Sequence, residues 1–235
     1  KAKSDTAVYL ATEFGNIENT YKCISEVHIN KELPMPFTFL NTLNNMAGFH
    51  IAKILGLTSR SFTVSSKGVS FEKALQLAKL SLAKEPQASV LVGGTDSAFA
   101  EFYVEKPPML PADTLLKEGS AWLYINGNKA QAIGQVKEIK SFSDHTALEQ
   151  WLRAYDSSEN VSLAFNVHVD KKEKDTIRAI RPELKEYAYL SKLGYFGTVV
   201  GAGLVQFLKD GKRGTLLHIS KNRYDSYMLI ELVSF

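Results

Sequence analysis

The chain has 235 residues, 45% apolar and 23% charged, with only 15 Gly and 7 Pro, a make-up of one or two globular domains that excludes collagen, coiled coil and disorder. Twenty-eight Lys and Arg against 25 Asp and Glu leave a formal charge of +3, spread along the chain rather than clustered as a nucleic-acid footprint requires. No run approaches the roughly 18 apolar residues that span a bilayer, and the single cysteine, Cys23, can make neither an intrachain disulfide nor a thiolate metal cage, which fits a reducing, cytoplasmic compartment.

The chain opens on Lys1-Ala2-Lys3 without an initiator Met, as expected of a segment of something longer. Thr6–Ala11 is a β-branched and aromatic run that predicts a buried strand, followed by a polar turn over Thr12–Asn19 and a weakly helical Thr20–Val27. Thr42–Leu55 places Leu43, Met46, Ala47, His50, Ile51 and Ile54 at helical spacing, with Gly56 as the stop. Ser61–Val64 predicts a strand, Ser65-Ser66-Lys67-Gly68 a tight turn, and Phe71–Ala83 a helix for which the Ser70 hydroxyl is the expected N-cap. Ser89–Val92 running into Gly93-Gly94 predicts another strand, as does Ala121–Ile125 after a loop at Glu105–Pro111. Strands alternating with helices of this length point to an α/β architecture.

The second part repeats the rhythm. Val136–Ser141 predicts a strand, Thr146–Tyr155 a helix, Val161–Val169 a strand and Lys171–Ile180 a charged, solvated helix. A helical stretch is expected after Pro182 into Ser191, then the glycine-rich Gly194–Gly203, then a hairpin of Gly214–Ser220 and Ser226–Leu232 closing over Asn222-Arg223.

Most chemistry-bearing constellations are missing. His28, His50, His145, His168 and His218 show no metal-ligand spacing, so no metal is expected, and no phosphate-cradling glycine motif implies a nucleotide or other cofactor. No Gly-x-Ser-x-Gly nucleophile motif is present, and Cys23 reads as a structural thiol. The informative feature is the strand, tight turn and helix at Phe62–Ala83, since such a turn delivers a side chain to a helix N-terminus, where charge is stabilised. Here the turn holds no Cys.

The order of residues around this turn is distinctive: Pro36-Phe37-Thr38-Phe39-Leu40-Asn41-Thr42-Leu43-Asn44-Asn45-Met46-Ala47-Gly48, Gly56-Leu57, the turn itself, and Val90-Leu91-Val92-Gly93-Gly94-Thr95-Asp96. Lys117-Glu118-Gly119-Ser120-Ala121 and Gly197-Thr198-Val199-Val200-Gly201-Ala202-Gly203 follow. This pattern resembles the β-ketoacyl synthases of the thiolase superfamily, and most closely their shortened chain-length-factor relatives of aryl polyene and type II polyketide systems. The resemblance implies a reduced thiolase-like fold of two α/β pseudo-repeats, residues 1–130 and 131–235, in a layered α-β-α-β-α arrangement packed as one unit. It places the synthase nucleophile at Gly68, the second catalytic His at Thr198, and the first at Phe165 or Asn166, with His168 a two- or three-residue shift away. Condensation needs a thiolate and two imidazoles, so the resemblance implies a non-catalytic partner of an active ketosynthase that shapes the acyl tunnel and meets acyl carrier protein through the complex. Asn44, Asn45, Met46, Phe49, Phe62, Thr63, Val64 and Phe71 are the tunnel and interface candidates it implies.

General residue behaviour supplies competing readings. Gly68 also suits a positive-φ turn, Thr198 an N-cap, and the aromatic set Phe37, Phe39, Phe49, Phe62 and Phe71 a core. Asn44 and Asn45 either cap locally or bind buried backbone at an interface. As alternatives, Ser65 or Ser66 could accept an acyl group with His50 or His168 as base, some relatives decarboxylate with Gln at the nucleophile position, or the chain could be a pure binding module for carrier protein or an apolar ligand.

Overall fold

The computed structural model describes residues 3–97, 114–156 and 160–235, so the loop expected at Glu105–Pro111 lies outside the described residues. Two sheets organise them. The first has strand order β2-β1-β3-β4, built from β1 (Ala7–Ala11), β2 (Ser61–Val64), β3 (Ser89–Asp96) and β4 (Gly119–Asn126). β1 is parallel to both of its neighbours, Tyr9 facing Phe62 on one side and Val92 on the other, and β4 runs antiparallel to β3. All five residues of β1 are buried, the continuous apolar run expected of a parallel strand covered on both faces.

The second sheet has the order β5-β9-β8-β6-β7: β5 (Gly134–Phe142), β6 (Val161–Phe165), β7 (Lys185–Glu186), β8 (Gly214–Lys221) and β9 (Tyr227–Ser234). β6 lies parallel to β7 and β8, while β9 pairs antiparallel with β8 and with β5, where a bulge falls between Val136 and Glu138.

Eight α-helices accompany the sheets among the described residues: α1 (Ile17–Ser25), α2 (Pro36–Leu40), α3 (Met46–Leu55), α4 (Ser70–Lys84), α5 (His145–Ala154), α6 (Lys171–Ile180), α7 (Leu190–Leu193) and α8 (Val199–Lys209). A π-helical turn at Glu26–Asn30 continues α1 and ends where Lys31 adopts φ 60°. α4 and α8 form the layer between the sheets. Phe71, Ala74, Leu75 and Ala78 of α4, at helical spacing, join Val200, Leu204 and Phe207 of α8 in one core with Tyr9 and Val92 of the first sheet and Leu216 and Ile230 of the second. On the far face of the second sheet, Leu148 and Leu152 of α5 and Ile177 of α6 pack on Leu217, Ile219 and Leu229. α3 packs on β1 and β2 of the first sheet. The order is thus α-β-α-β-α, a reduced thiolase-like α/β fold.

Several expectations are corrected. The helix expected from Thr42 starts at Met46, because Thr42–Asn45 make turns that close α2. Ser70 is the first residue of α4 rather than its cap: Val69 stands at the cap position, and the Ser70 hydroxyl bonds elsewhere. The strand expected to reach Val169 ends at Phe165. The stretch after Pro182 is not a helix, since Lys185 and Glu186 are drawn into pairing with Ser162 and Leu163, and only Leu190–Leu193 is helical. Phe37, Phe39, Phe49 and Phe62 are exposed, leaving Phe71 alone of that set in the core.

Candidate functional site

The turn between β2 and α4 is the natural place to look, and its backbone is unusual. Lys67 has φ 23° and Gly68 φ 95°, so the chain doubles back sharply from a strand into a helix N-terminus. A strained strand-to-helix turn of this kind presents the side chain at its apex in nucleophile elbows. Here the apex is Gly68, which has none. A Cβ placed on Gly68 would lie 2.7 Å from both Cδ2 and Nε2 of His168, so the imidazole fills the space into which an apical side chain would project. His168 is half-buried; burial holds its pKa below the ordinary histidine value, and Arg223 adds to that.

Asn166, at the end of β6, locks this arrangement. Its Nδ2 donates to the carbonyls of Gly68 (3.1 Å) and Lys221 (3.0 Å), and its Oδ1 accepts from the backbone N–H of Lys221 (3.1 Å) and His168 (3.2 Å). Both donors and both acceptor sites of the amide are therefore used, in a residue only 3% exposed. This side chain is a clamp and has no capacity left to touch a substrate.

The turn between β8 and β9 completes the enclosure. Arg223 N donates to Lys67 O (3.2 Å), Lys67 Nζ donates to the Tyr224 hydroxyl (2.6 Å) and lies over its ring, and Lys221 Nζ pairs with Glu173 (2.8 Å) and Asp225 (2.9 Å). On the other side, the Ser66 N–H donates to the Ser70 hydroxyl (2.9 Å), which donates to the carboxylate of Glu13 (2.8 Å). Ser65 donates to the Glu13 carbonyl at 3.4 Å. Among the described residues no hydrogen bond joins Ser65 or Ser66 to His50 or His168, and His50 is exposed on α3 against Phe49.

Thr198 precedes α8 and is 1% exposed, yet its hydroxyl does not cap the helix and has no hydrogen-bond partner within normal geometry. Thr198 stands at the N-cap position as expected but without a side-chain cap bond, and its side chain and the ring of Phe71 crowd the backbone of Gly94. Nearby, Asp96 Oδ1 accepts from Thr12 Oγ1 (2.8 Å) and Glu13 N (2.9 Å). Burial raises its pKa against the opposing pull of these donors and of the adjacent Thr198 hydroxyl.

Behind the turn lies a buried polar row. Tyr189 Oη is 2.9 Å from His218 Nε2 and His218 Nδ1 is 3.2 Å from Ser220 Oγ, while the carboxyl of Glu72 on α4 is buried with its Oε1 lacking a hydrogen-bond partner. Burial drives the His218 pKa down to about 3 and the Glu72 pKa up to about 7.

The remaining candidates lie on the elements that flank the turn or farther from it. Within the chain Asn44 Oδ1 accepts from the Asn16 N–H (3.4 Å) and the Asn45 side chain makes no cap bond. Met46 is half-buried, Phe49 and Phe62 face outward, Thr63 and Val64 are half-buried beside them, and Phe71 belongs to the core. Glu13, Lys221 and Arg223, which the sequence did not single out as site residues, come to the turn from distant segments, and only the fold brings them there.

No family model matches this sequence, and no curated protein sequence does. Solved structures do match. "The ishigamide ketosynthase/chain length factor" aligns over 100% of this chain and 74% of its own, with TM-score 0.73 and 16% identity. The "PfaC Keto synthase-Chain length factor" aligns over 98% of this chain and 32% of its own, with TM-score 0.71 and 12% identity. The β-ketoacyl carrier-protein synthase III from Thermus thermophilus aligns over 99% and 78%, with TM-score 0.62 and 11% identity. The fold is that of ketosynthases and chain length factors.

Proposed function

We propose that this chain is a non-catalytic ketosynthase-like subunit, a chain length factor, that pairs with an active β-ketoacyl synthase and shapes the acyl tunnel during polyketide, aryl polyene or fatty-acid-type elongation. The observation that carries this reading is the turn at Gly68: the geometry of a nucleophile elbow with no side chain at its apex, His168 in the space above it, and Asn166 spent entirely on holding it closed. With Thr198 at the head of α8, no thiolate or pair of catalytic imidazoles is left for condensation.

The partner reading rests on surface chemistry. β2 is an uncharged edge strand with Phe62 exposed, Phe49 of α3, the helix packed on β2, is exposed as well, and so are Phe37, Phe39 and Leu43 in the segment before α3, apolar exposure of the kind that marks a protein interface. Acyl carrier protein is then met through the assembled pair rather than by this chain alone. Two of the matching structures are named as a ketosynthase with its chain length factor and as a ketosynthase with an acyl-carrier protein, which supports the same assembly here. No helix among the described residues is long and apolar enough to cross a membrane, and the unpaired Cys23 suits a reducing compartment.

Co-expression with an intact ketosynthase encoded beside it, followed by size-exclusion chromatography with light scattering, tests the reading. A one-to-one complex is expected. A chain that purifies as a stable monomer and binds no such ketosynthase overturns it.

A further inference from the structure

A cleft of about 690 Å³ opens where β6 and β8 begin, between β7 and the C-terminal end of α8. Its size is that of a small-molecule site. The Gly68 turn meets the other ends of the same strands, at Asn166 and Lys221, roughly 20 Å away along the sheet. Ligands of open α/β sheets gather at the carboxyl ends of the strands, so a cleft at the amino ends is separate from the elbow.

The inner wall is an aromatic corner fixed before any ligand arrives. Phe207 is 7% exposed and meets the Tyr187 ring edge-on, at 5.4 Å and 85°. Tyr187 is tied at both ends: its backbone N–H donates to the Leu163 carbonyl (2.6 Å) and its hydroxyl to Asp210 Oδ2 (2.8 Å). Leu184 completes the apolar lining. A surface held in this way loses little freedom when something packs on it.

The rim is cationic. Lys185 of β7 and Lys212 and Arg213 of the loop after α8 line the cleft, and among the described residues none of the three makes an ion pair. The carboxylates beside them are already engaged. Glu183 pairs with Arg181 Nε (2.5 Å), and Asp210 accepts from Tyr187 and from Gln206 Nε2 (2.7 Å). The carbonyl end of α8 favours positive charge at Lys212 and Arg213, but Lys185 comes from a different segment and has no such cause. Cations converging from two segments on one concave wall focus a positive field into it.

We propose that this cleft binds a small organic phosphate, its charged group among Lys185, Lys212 and Arg213 and its organic body against Phe207, Leu184 and Tyr187. The Arg213 fork suits phosphate oxygens, and the two ammonium groups add charge without demanding a geometry. The site is independent of the partner reading, since none of these residues belongs to the face assigned to the ketosynthase.

Titration calorimetry of the full chain at low ionic strength tests it, with phenyl phosphate, inorganic phosphate and benzyl alcohol as probes. Phenyl phosphate should bind about tenfold or more tighter than either probe, each of which carries half of its chemistry. Joint replacement Lys212→Ala and Arg213→Ala, at two exposed positions, should weaken phenyl phosphate by about tenfold or more. Asp210→Asn keeps an acceptor for Tyr187 but removes a negative charge from the rim, so binding should tighten by roughly threefold. In NMR spectra the amides of Ser162, Lys185, Tyr187 and Gly214 should shift with saturation of the site. No binding of phenyl phosphate, equal binding of inorganic phosphate (an adventitious ion only), an Asp210→Asn chain that binds no better, or shifts confined to other residues each overturn the proposal. An acidic carrier protein that binds through Lys212 while phenyl phosphate does not would assign the surface to a protein instead.

Discussion

The edges of the two sheets are finished in opposite ways. β5, at the margin of the second sheet, carries Lys137, Glu138 and Lys140, with Lys137 paired to the buried Glu231 and Lys140 to Glu138. Charges on an edge strand discourage another chain from adding to it. β2, at the margin of the first sheet, is Ser-Phe-Thr-Val, with Ser61 and Phe62 exposed and no charge at all. The contrast extends to the flanking layers. Most of the large apolar side chains exposed among the described residues fall between residues 17 and 62, including Leu33, Ile29 and Phe37, whereas the layer of α5 and α6 seals its face of the second sheet with Leu148, Leu152 and Ile177 fully buried. One region is finished by its own chain, and the other has the composition of an interior without the cover.

That difference can be pressed by mutation. Leu217→Ala, in the sealed region, should cost about 2–5 kcal/mol in urea unfolding through lost burial and the cavity left behind. The same truncation at Leu33, 93% exposed, should stay within about 0.5 kcal/mol. If both cost alike, the first region is not open. Phe62→Asp should leave the isolated chain's stability nearly unchanged while weakening a ketosynthase complex by roughly 30- to 1,000-fold, the range for losing a buried aromatic anchor, as titration calorimetry would read. Gly68→Cys should cost about 1–3 kcal/mol, because φ 95° and the His168 ring both oppose a side chain there. It should also yield no turnover of a malonyl carrier protein, and adding His168→Ala should recover part of the lost stability. Asn166→Ala should cost about 1–3 kcal/mol by orphaning buried backbone groups. The smallest effect is Glu138→Val on β5, within about 0.5 kcal/mol of native stability but with more self-association by light scattering, since it strips a charge from the guarded edge.

What the residues disclosed in advance follows the same division between local and distant causes. The strand, turn and helix around Gly68 are set by neighbours in sequence, and the period of Phe71, Ala74, Leu75 and Ala78 is enough to find α4. The helix expected at Thr146–Tyr155 stands at His145–Ala154, because Asp144 caps it through the Ala147 N–H (2.9 Å), a signal that is also local. Where the cause is distant the reading failed. Lys185 and Glu186 look helical until β6 offers them a ladder. Ser70 looks like a cap until Glu13, 57 positions earlier, takes its hydroxyl. The outward-facing phenylalanines look like core because burial tendencies assume a complete molecule. The resemblance singled out positions 68, 166 and 168, but the clamping role of Asn166 had no signal, since its bonds to residues 68, 168 and 221 form only in the folded chain.

The placement of the two tryptophans gives the molecule an optical property of its own. Trp122 lies on β4, its ring crowding the backbone at Gly93 and its indole N–H held by Ser120 (2.7 Å), while Trp151 lies on α5 between Phe142 and Tyr155. One indole thus lies in the first sheet and the other on a helix packed against the second, among aromatic rings. Emission from a chain with a single tryptophan replaced by phenylalanine would report on one layer at a time. Whether the two sheets melt together or in sequence is therefore written into the fluorescence of the native residues, with no label required.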